Sequence, residues 1–433
     1  MMVKKKSFKI TLLVVLISFL SAILYWFNRP KEVKLYLGIH EGSSWGVPQG
    51  QDNRVLDDII DRFEKDHPGV DVVYESGIRQ SDYSDWLAEK MAKGEEPNLF
   101  MVPDKDFNLL SSLGSLKNLK PFVSKNFDDD RFYKVSYQAG NYHGDQYALP
   151  FESNPIMMCI NKDLLEKSGF SIPESDWSVT DFYKMAKAVT KDVDGDGQLD
   201  QFGLVDYEWQ NAMAAYGNPI FNANGDQVHL NTTATKNAMT LMMNLTALSG
   251  NYEVSAQDFD QGKVVFRPMT LAEYRTYKPY PYHIAKYTTF EWTCVPMPSA
   301  RAESQATQVE TSLFAISDRT KKAALAWELL RLLTYDNDSQ QALVKQSQGA
   351  SVLKTVMISQ ETQQLLQEDT FGSDSLTAPM LDHTLRDGFN LPKFKQFNAV
   401  YEETDYLINQ SLKNGTIETD LAMIEKKLAQ SLR

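Results

Sequence analysis

Residues 147–165, Tyr-Ala-Leu-Pro-Phe-Glu-Ser-Asn-Pro-Ile-Met-Met-Cys-Ile-Asn-Lys-Asp-Leu-Leu, decide how the rest of the chain is read. Tyr147 to Pro150 is followed by Ile156 to Ile160, an unbroken apolar run of strand length. After Asn161 the pattern changes. Leu164 and Leu165 belong to a short helix that Gly169 stops. A turn at Gly140–Gly144 leads into this strand-to-helix unit.

Upstream, Val33 to Ile39 reads as a strand, followed by a polar, Gly-rich loop to Asp52. Val55, Ile59, Ile60 and Phe63 then fall at helical spacing, with Asn53 as N-cap and His67-Pro68-Gly69 as the stop. Val70 to Tyr74 is a strand. Tyr83, Trp86, Leu87 and Met91 mark a second helix, and Leu99 to Val102 a third strand. This βαβαβ alternation implies a parallel sheet, hence an α/β fold.

Ligands of such sheets bind beyond the carboxyl ends of the strands. Those ends are the loops 41–46, 76–80 and 103–106. Glu41, Ser43, Ser44 and Trp45 in the first and Asp104 in the third offer hydrogen-bonding groups and a flat aromatic face. A sugar needs both, because its hydroxyls demand oriented partners and its C–H face packs on a ring.

Downstream, Ser178-Val179-Thr180-Asp181 opens a helix through Val189. Val264–Phe266, Thr293–Val295 and Thr311–Ile316 are strand-like. Lys321 to Thr334 is amphipathic, and residues 398–433 are largely helical. Tyr274 to Tyr287 reads as an extended loop.

With 433 residues the chain is long enough for two cores. Its net charge of -13 argues against nucleic acid as a partner. Cys159 and Cys294 both sit in apolar runs. They read as two buried thiols or as one bridge across adjacent strands.

At the amino terminus, Lys4, Lys5 and Lys6 precede an apolar run from Ile10 to Phe27, closed by Arg29, Pro30 and Lys31. The run is long for a signal peptide and reaches the low end of a membrane span. Residues 1–30 are therefore expected to act as an uncleaved signal anchor, with a cleaved signal as the alternative. The lysines would be cytoplasmic and the remainder on the extracellular face of the membrane. No cysteine follows the run to accept a lipid.

Asp192, Asp194, Asp196, Gln198 and Asp200 surround Gly195 and Gly197. The spacing matches positions one, three, five, seven and nine of an EF-hand-type loop, with glycine at six, but Gly203 stands where the bidentate Glu belongs. The loop is either a structural calcium site or a solvated acidic turn. No other cofactor is called for.

Gly42-Ser43-Ser44-Trp45-Gly46 fits the Gly-x-Ser-x-Gly elbow of hydrolases, yet Val47 and Pro48 follow where a helix should begin. The six histidines show no metal or triad spacing. The chain is not expected to be an enzyme.

Taken in order, these segments resemble the extracellular solute-binding proteins of bacterial ABC transporters, in particular the sugar-binding group that includes maltodextrin binders. The resemblance rests on Phe63-Glu64-Lys65-Asp66-His67-Pro68-Gly69-Val70, Pro97-Asn98-Leu99-Phe100 and Tyr147-Ala148-Leu149-Pro150 leading to Ile160-Asn161-Lys162-Asp163-Leu164-Leu165. Asp192–Phe202, Gly262-Lys263-Val264 and Trp292–Pro298 continue it.

It implies a periplasmic-binding-protein-like fold of two lobes closing over ligand about a hinge. Residues 31–152 plus 296–349 would form lobe one, and 153–295 plus 350–433 lobe two. Crossings would lie near 150–160, 292–298 and 349–353. Phe151 and Asn154 would flank the hinge, with Tyr207 and Trp209 in a stretch that faces the cleft in the resembled family. Tyr274 is the nearest aromatic to a position that many relatives fill with Trp, and Glu291 could reach the cleft. The expected activity is capture of a mono- or oligosaccharide and its delivery to an ABC permease. The alternatives are a ligand-sensing partner of a membrane signalling kinase, or a binder of another solute such as a peptide.

Overall fold

The structure is a computed structural model that describes residues 33–47, 53–123, 127–276, 290–300, 306–369 and 376–432. The expected anchor at residues 1–30 lies outside these. No helix among the described residues is long and apolar enough to cross a membrane.

Strands β1 (Val33–Gly38), β2 (Val70–Tyr74) and β3 (Leu99–Val102) pair in parallel in the order β2-β1-β3. The intervening helices Arg54–Asp66 and Gln80–Lys93 bury the residues their spacing singled out, Val55, Ile59, Ile60 and Phe63 on the first and Tyr83 and Leu87 on the second. The second helix ends on Gly94 at φ 72°, a left-handed cap that glycine adopts without steric cost.

A small hairpin, β4 (Asn141–Tyr142) and β5 (Asp145–Gln146), delivers the chain into β6 (Ala148–Asn161). Here the structure joins what the sequence divides. The two apolar runs are one 14-residue strand, buried almost throughout.

β6 changes partners midway. Ala148 to Pro155 pairs antiparallel with β10 (Val309–Ile316). Ile156 to Asn161 pairs with β8 (Val264–Thr270) on one side and β9 (Trp292–Val295) on the other. β7 (Phe202–Leu204) adds in parallel to β8. The sheet therefore runs β2-β1-β3-β10-β6-β8-β7, with β6 common to two lobes. Such sharing makes a hinge: the strand keeps its hydrogen bonds at both ends while the packing around it differs.

The second lobe has its own apolar core. Trp177, Phe182 and Phe266 pack on one another, and the helices Thr233–Leu248, Phe397–Asn414 and Ile417–Ser431 close over them.

Two expected crossings move. Ser299 still bonds the Trp177 carbonyl and Ala300 that of Ala215, so the return to lobe one falls near Thr307–Val309 rather than at 292–298. The segment at Ala350 does pair with Ser153, and Leu353 with Phe132, but the chain then stays with the first lobe. Helix Ala378–Arg386 packs against helix Lys134–Ala139, and the Tyr133 hydroxyl donates to Asp382 at 2.7 Å. The third crossing is instead made beside β10, where Val309 N–H reaches the Phe389 carbonyl at 3.1 Å and Phe389 N–H reaches that of Thr307 at 3.0 Å. Through Leu391, and then Phe394 and Phe397 against Phe221, the chain re-enters the second core. The buried stretch at 349–353 resembles a crossing in sequence, but packing alone decides which lobe the following helices join.

Cys159 and Cys294 stand directly opposite each other across β6 and β9, both buried.

Candidate ligand cavity

The chain leaving β7 turns at Asp206, with φ 57°, and starts helix Trp209–Ala215. A reciprocal cap between Glu208 and Asn211 fixes that start. The Trp209 indole N–H donates to Asp405 Oδ1 at 2.9 Å, and Gln210 Nε2 donates to the same oxygen at 3.0 Å. Asp405 thus pins the helix to helix Phe397–Asn414.

Between these helices, the loop after the first and the third crossing lies a cavity of about 690 Å³. Its aromatic walls are Trp209, Tyr216, Phe221, Phe389, Phe397 and Tyr401, and its polar groups are the amides of Gln210, Asn218, Asn222, Gln308 and Asn390. No Asp, Glu, Lys, Arg or His is among the described residues lining it. Tyr401 stacks on Phe397 with ring centroids 5.1 Å apart. Burial, helped by nearby Asp405 and Glu208, pushes its phenol up, so the hydroxyl stays protonated. Gln210 Oε1 is buried and has no hydrogen-bond partner among the described residues. A buried acceptor without a partner is uncommon in a folded protein.

Two residues beyond Gln308, Glu310 of β10 stands at the hinge, open to solvent yet closely surrounded by protein. Asp104 faces it from helix Asp104–Ser112 of lobe one, Glu273 from helix Leu271–Thr276, and Asn154 from β6. Lys393 holds Asp104 at 2.9 Å. Burial first, then the two carboxylates, push Glu310 from 4.5 up to about 7.

The raised value means the folded state disfavours the charged form. Glu310 therefore takes nothing from stability below about pH 4.5, takes progressively more as pH rises to about 7, and is constant above that. The melting temperature of the unliganded protein should fall across this window. Glu310→Gln should flatten the fall, and an unchanged slope in that variant would refute the assignment.

A smaller cavity of about 70 Å³ lies in lobe one, lined in part by His40, Ser44, Glu152 and Ser347. Burial lowers the His40 pKa and raises that of Glu152. Gly349 N–H donates to Glu152 Oε1 at 3.2 Å. The Trp45 indole N–H and the Ser347 hydroxyl, neither in a hydrogen bond of ordinary geometry, lie close enough to favour the Glu152 charge.

Residues 48–336 match the family model described as bacterial extracellular solute-binding protein. The chain belongs to the bacterial extracellular solute-binding proteins. Lipoprotein LipO of Bacillus subtilis (strain 168) is 30% identical over 141 residues, a match spanning 30% of this solute-binding protein and 27% of the lipoprotein. An ABC substrate-binding protein of Listeria monocytogenes, solved in complex with cycloalternan, superposes with a TM-score of 0.67 at 19% identity, covering 93% of this chain and 99% of that one. The sugar-binding protein MalE of Xanthomonas citri gives 0.74 at 13%, covering 92% and 97%. The cyclic alpha-maltosyl-1,6-maltose binding protein of Arthrobacter globiformis gives 0.73 at 15%, covering 93% and 99%.

Of the residues singled out from the sequence, only Trp209 lines the large cavity, and it is 2% exposed. Asp104 and Asn154 sit in the acidic group at the hinge, and Asn154 Oδ1 accepts the Ala272 N–H at 2.9 Å. Three expected contacts are core residues instead. Phe151 packs on Phe314, Tyr207 on Phe182 and Tyr274 on Trp292. Glu41 ties its own loop to the Gly77 N–H, and Ser43 Oγ accepts the Trp45 N–H. Trp45 is half-buried, with its indole N–H near Glu152. Glu291 pairs with Lys162 at 3.1 Å, at the start of a lobe-two helix.

Tyr401, Phe389, Asn390 and Gln308 were not legible as site residues. They sit in ordinary helix, crossing and strand patterns, and no local signal marks them.

In the acidic loop, carboxylates of Asp192, Asp194 and Asp200 lie within 4.8 Å of one another. Asp192 accepts the Gly195 and Gly197 amides at 2.7 and 2.8 Å, which hold its pKa down. Asp200 accepts the Val193 N–H at 2.7 Å, and a bridge between Lys191 and Gln201 closes the loop. Asp196 and Gln198 bond each other and are not part of the trio.

Proposed function

We propose that this solute-binding protein captures a neutral oligosaccharide in the aromatic cavity and delivers it to an ABC permease by closure about β6. One observation carries the reading: among the described residues the lining combines aromatic faces and amides with no charged side chain. Amides donate and accept, and so serve hydroxyls. An ionic peptide or organic acid would gain no counter-charge there. Two neighbours of the same fold, one solved with cycloalternan and one named for binding cyclic alpha-maltosyl-1,6-maltose, support it. Binding alone performs the work, with no catalytic step. Residues 1–30 hold the protein at the outer face of the membrane.

Thermal-shift and calorimetric titration with neutral oligosaccharides, charged sugars and peptides test the reading. A ligand at a hundredfold above its Kd adds about 2.7 kcal/mol to stability. Stabilisation by peptides or charged sugars but not by neutral ones would overturn it.

The aspartate trio fits a calcium ion with a structural role. Asp192, Asp194 and Asp200 supply hard oxygens at loop ends already drawn together. Calcium should raise the melting temperature of the chelator-treated protein, and Asp192→Asn should abolish that rise. An absence of calcium heat in calorimetry, with no change in melting temperature, would remove the proposal.

A further inference from the structure

We propose that Cys159 and Cys294 form a disulfide bond in the exported protein, fastening β9 to the hinge strand β6. They are the only two cysteines of the 433-residue chain. The strand register sets them directly opposite each other in an antiparallel pair. Opposed residues in such a pair have Cα atoms about 4.5–5.5 Å apart, inside the roughly 4.4–6.8 Å that a disulfide tolerates. Both side chains point to the same face of the sheet, and the sulfurs approach to 3.1 Å. Cys159 is 0% exposed and Cys294 5%, so neither sulfur can reach a thiol on another molecule once the protein has folded.

The family is extracellular, and thiols outside the cytoplasm meet an oxidising environment. The bond closes a loop of 135 residues that holds β7, β8 and the helix beneath the ligand cavity. It keeps β9 in register on β6 just before the chain returns to lobe one.

The chemistry needs one oxidant, a disulfide of an exchange catalyst or a small molecule. The Cys159 thiolate attacks that disulfide and releases one thiol. The Cys294 thiolate then attacks the Cys159 sulfur and releases the second. Two protons and two electrons leave the pair, and the acceptor is reduced to two thiols. Burial in the finished fold places this step during folding.

The full chain, recovered from the outside of bacterial cells, would be unfolded in iodoacetamide without reductant and weighed intact. The expected species carries no alkyl group and is lighter than the dithiol chain by two hydrogen atoms. Reductant added first should give two alkylations, and Cys159→Ser should leave Cys294 open to one alkylation or to a covalent dimer. Wild-type chain that takes two alkyl groups without reductant, or that forms a covalent dimer, overturns the proposal. As a second readout, protein refolded under reductant should melt several degrees below the oxidised form. The Cys159→Ala/Cys294→Ala protein should show no such dependence on reductant, and an equal dependence in that variant would also overturn it.

Discussion

Tyr401→Ala is expected to weaken oligosaccharide binding by roughly tenfold to hundredfold, the equivalent of about 1.5–3 kcal/mol. Tyr401 is half-buried, stacks on Phe397 and turns its remaining surface to the cavity. Its protonated hydroxyl can donate to a sugar oxygen while the ring packs on the C–H face. The variant should fold, because Phe397, Val400 and Ile408, not Tyr401, bury the core-facing side of the helix. Calorimetry measures the loss of affinity, and the melting temperature without ligand separates it from instability. Unchanged affinity in a well-folded variant would move the sugar out of this cavity. Trp209→Ala is a poorer probe. Removing a nearly buried indole bonded to Asp405 costs stability as well.

Gly140→Ala is expected to destabilise the protein by about 3 kcal/mol, read as a lower urea midpoint. A Cβ at Gly140 would lie 2.1 Å from the Ala148 carbonyl oxygen and 2.7 Å from Gln146 Nε2. The obstacle is backbone, which cannot swing aside as a flexible side chain could. That backbone is the first residue of the hinge strand, and its carbonyl also accepts from Gln146 at 2.7 Å. Relief of the clash would shift the start of β6 or detach the β4–β5 hairpin. A variant as stable as the wild type would show that the turn has room to move.

The sequence determined the local matters. The helix at Arg54–Asp66 follows from the spacing of Val55, Ile59, Ile60 and Phe63, because one apolar stripe at that period has only one way to be buried. The parallel β1–β3 unit follows from strands alternating with helices, since a short connection cannot join parallel neighbours. The Asp192–Asp200 loop is equally local, with every partner within ten residues.

Tertiary structure decided what depends on distant segments meeting. Trp45 has the composition of a sugar platform in sequence, yet its indole N–H lies near Glu152, more than a hundred residues away. The cavity joins Gln308, Phe389 and Tyr401 to Trp209, and the hinge gathers Asp104, Glu273 and Asn154 around Glu310. Helix Ala378–Arg386 joins lobe one because Tyr133 and its neighbours await it there. An apolar stripe says that a face must be buried, but not against what. The partner is set by the whole chain packing at once, and the ligand site is made of those partners.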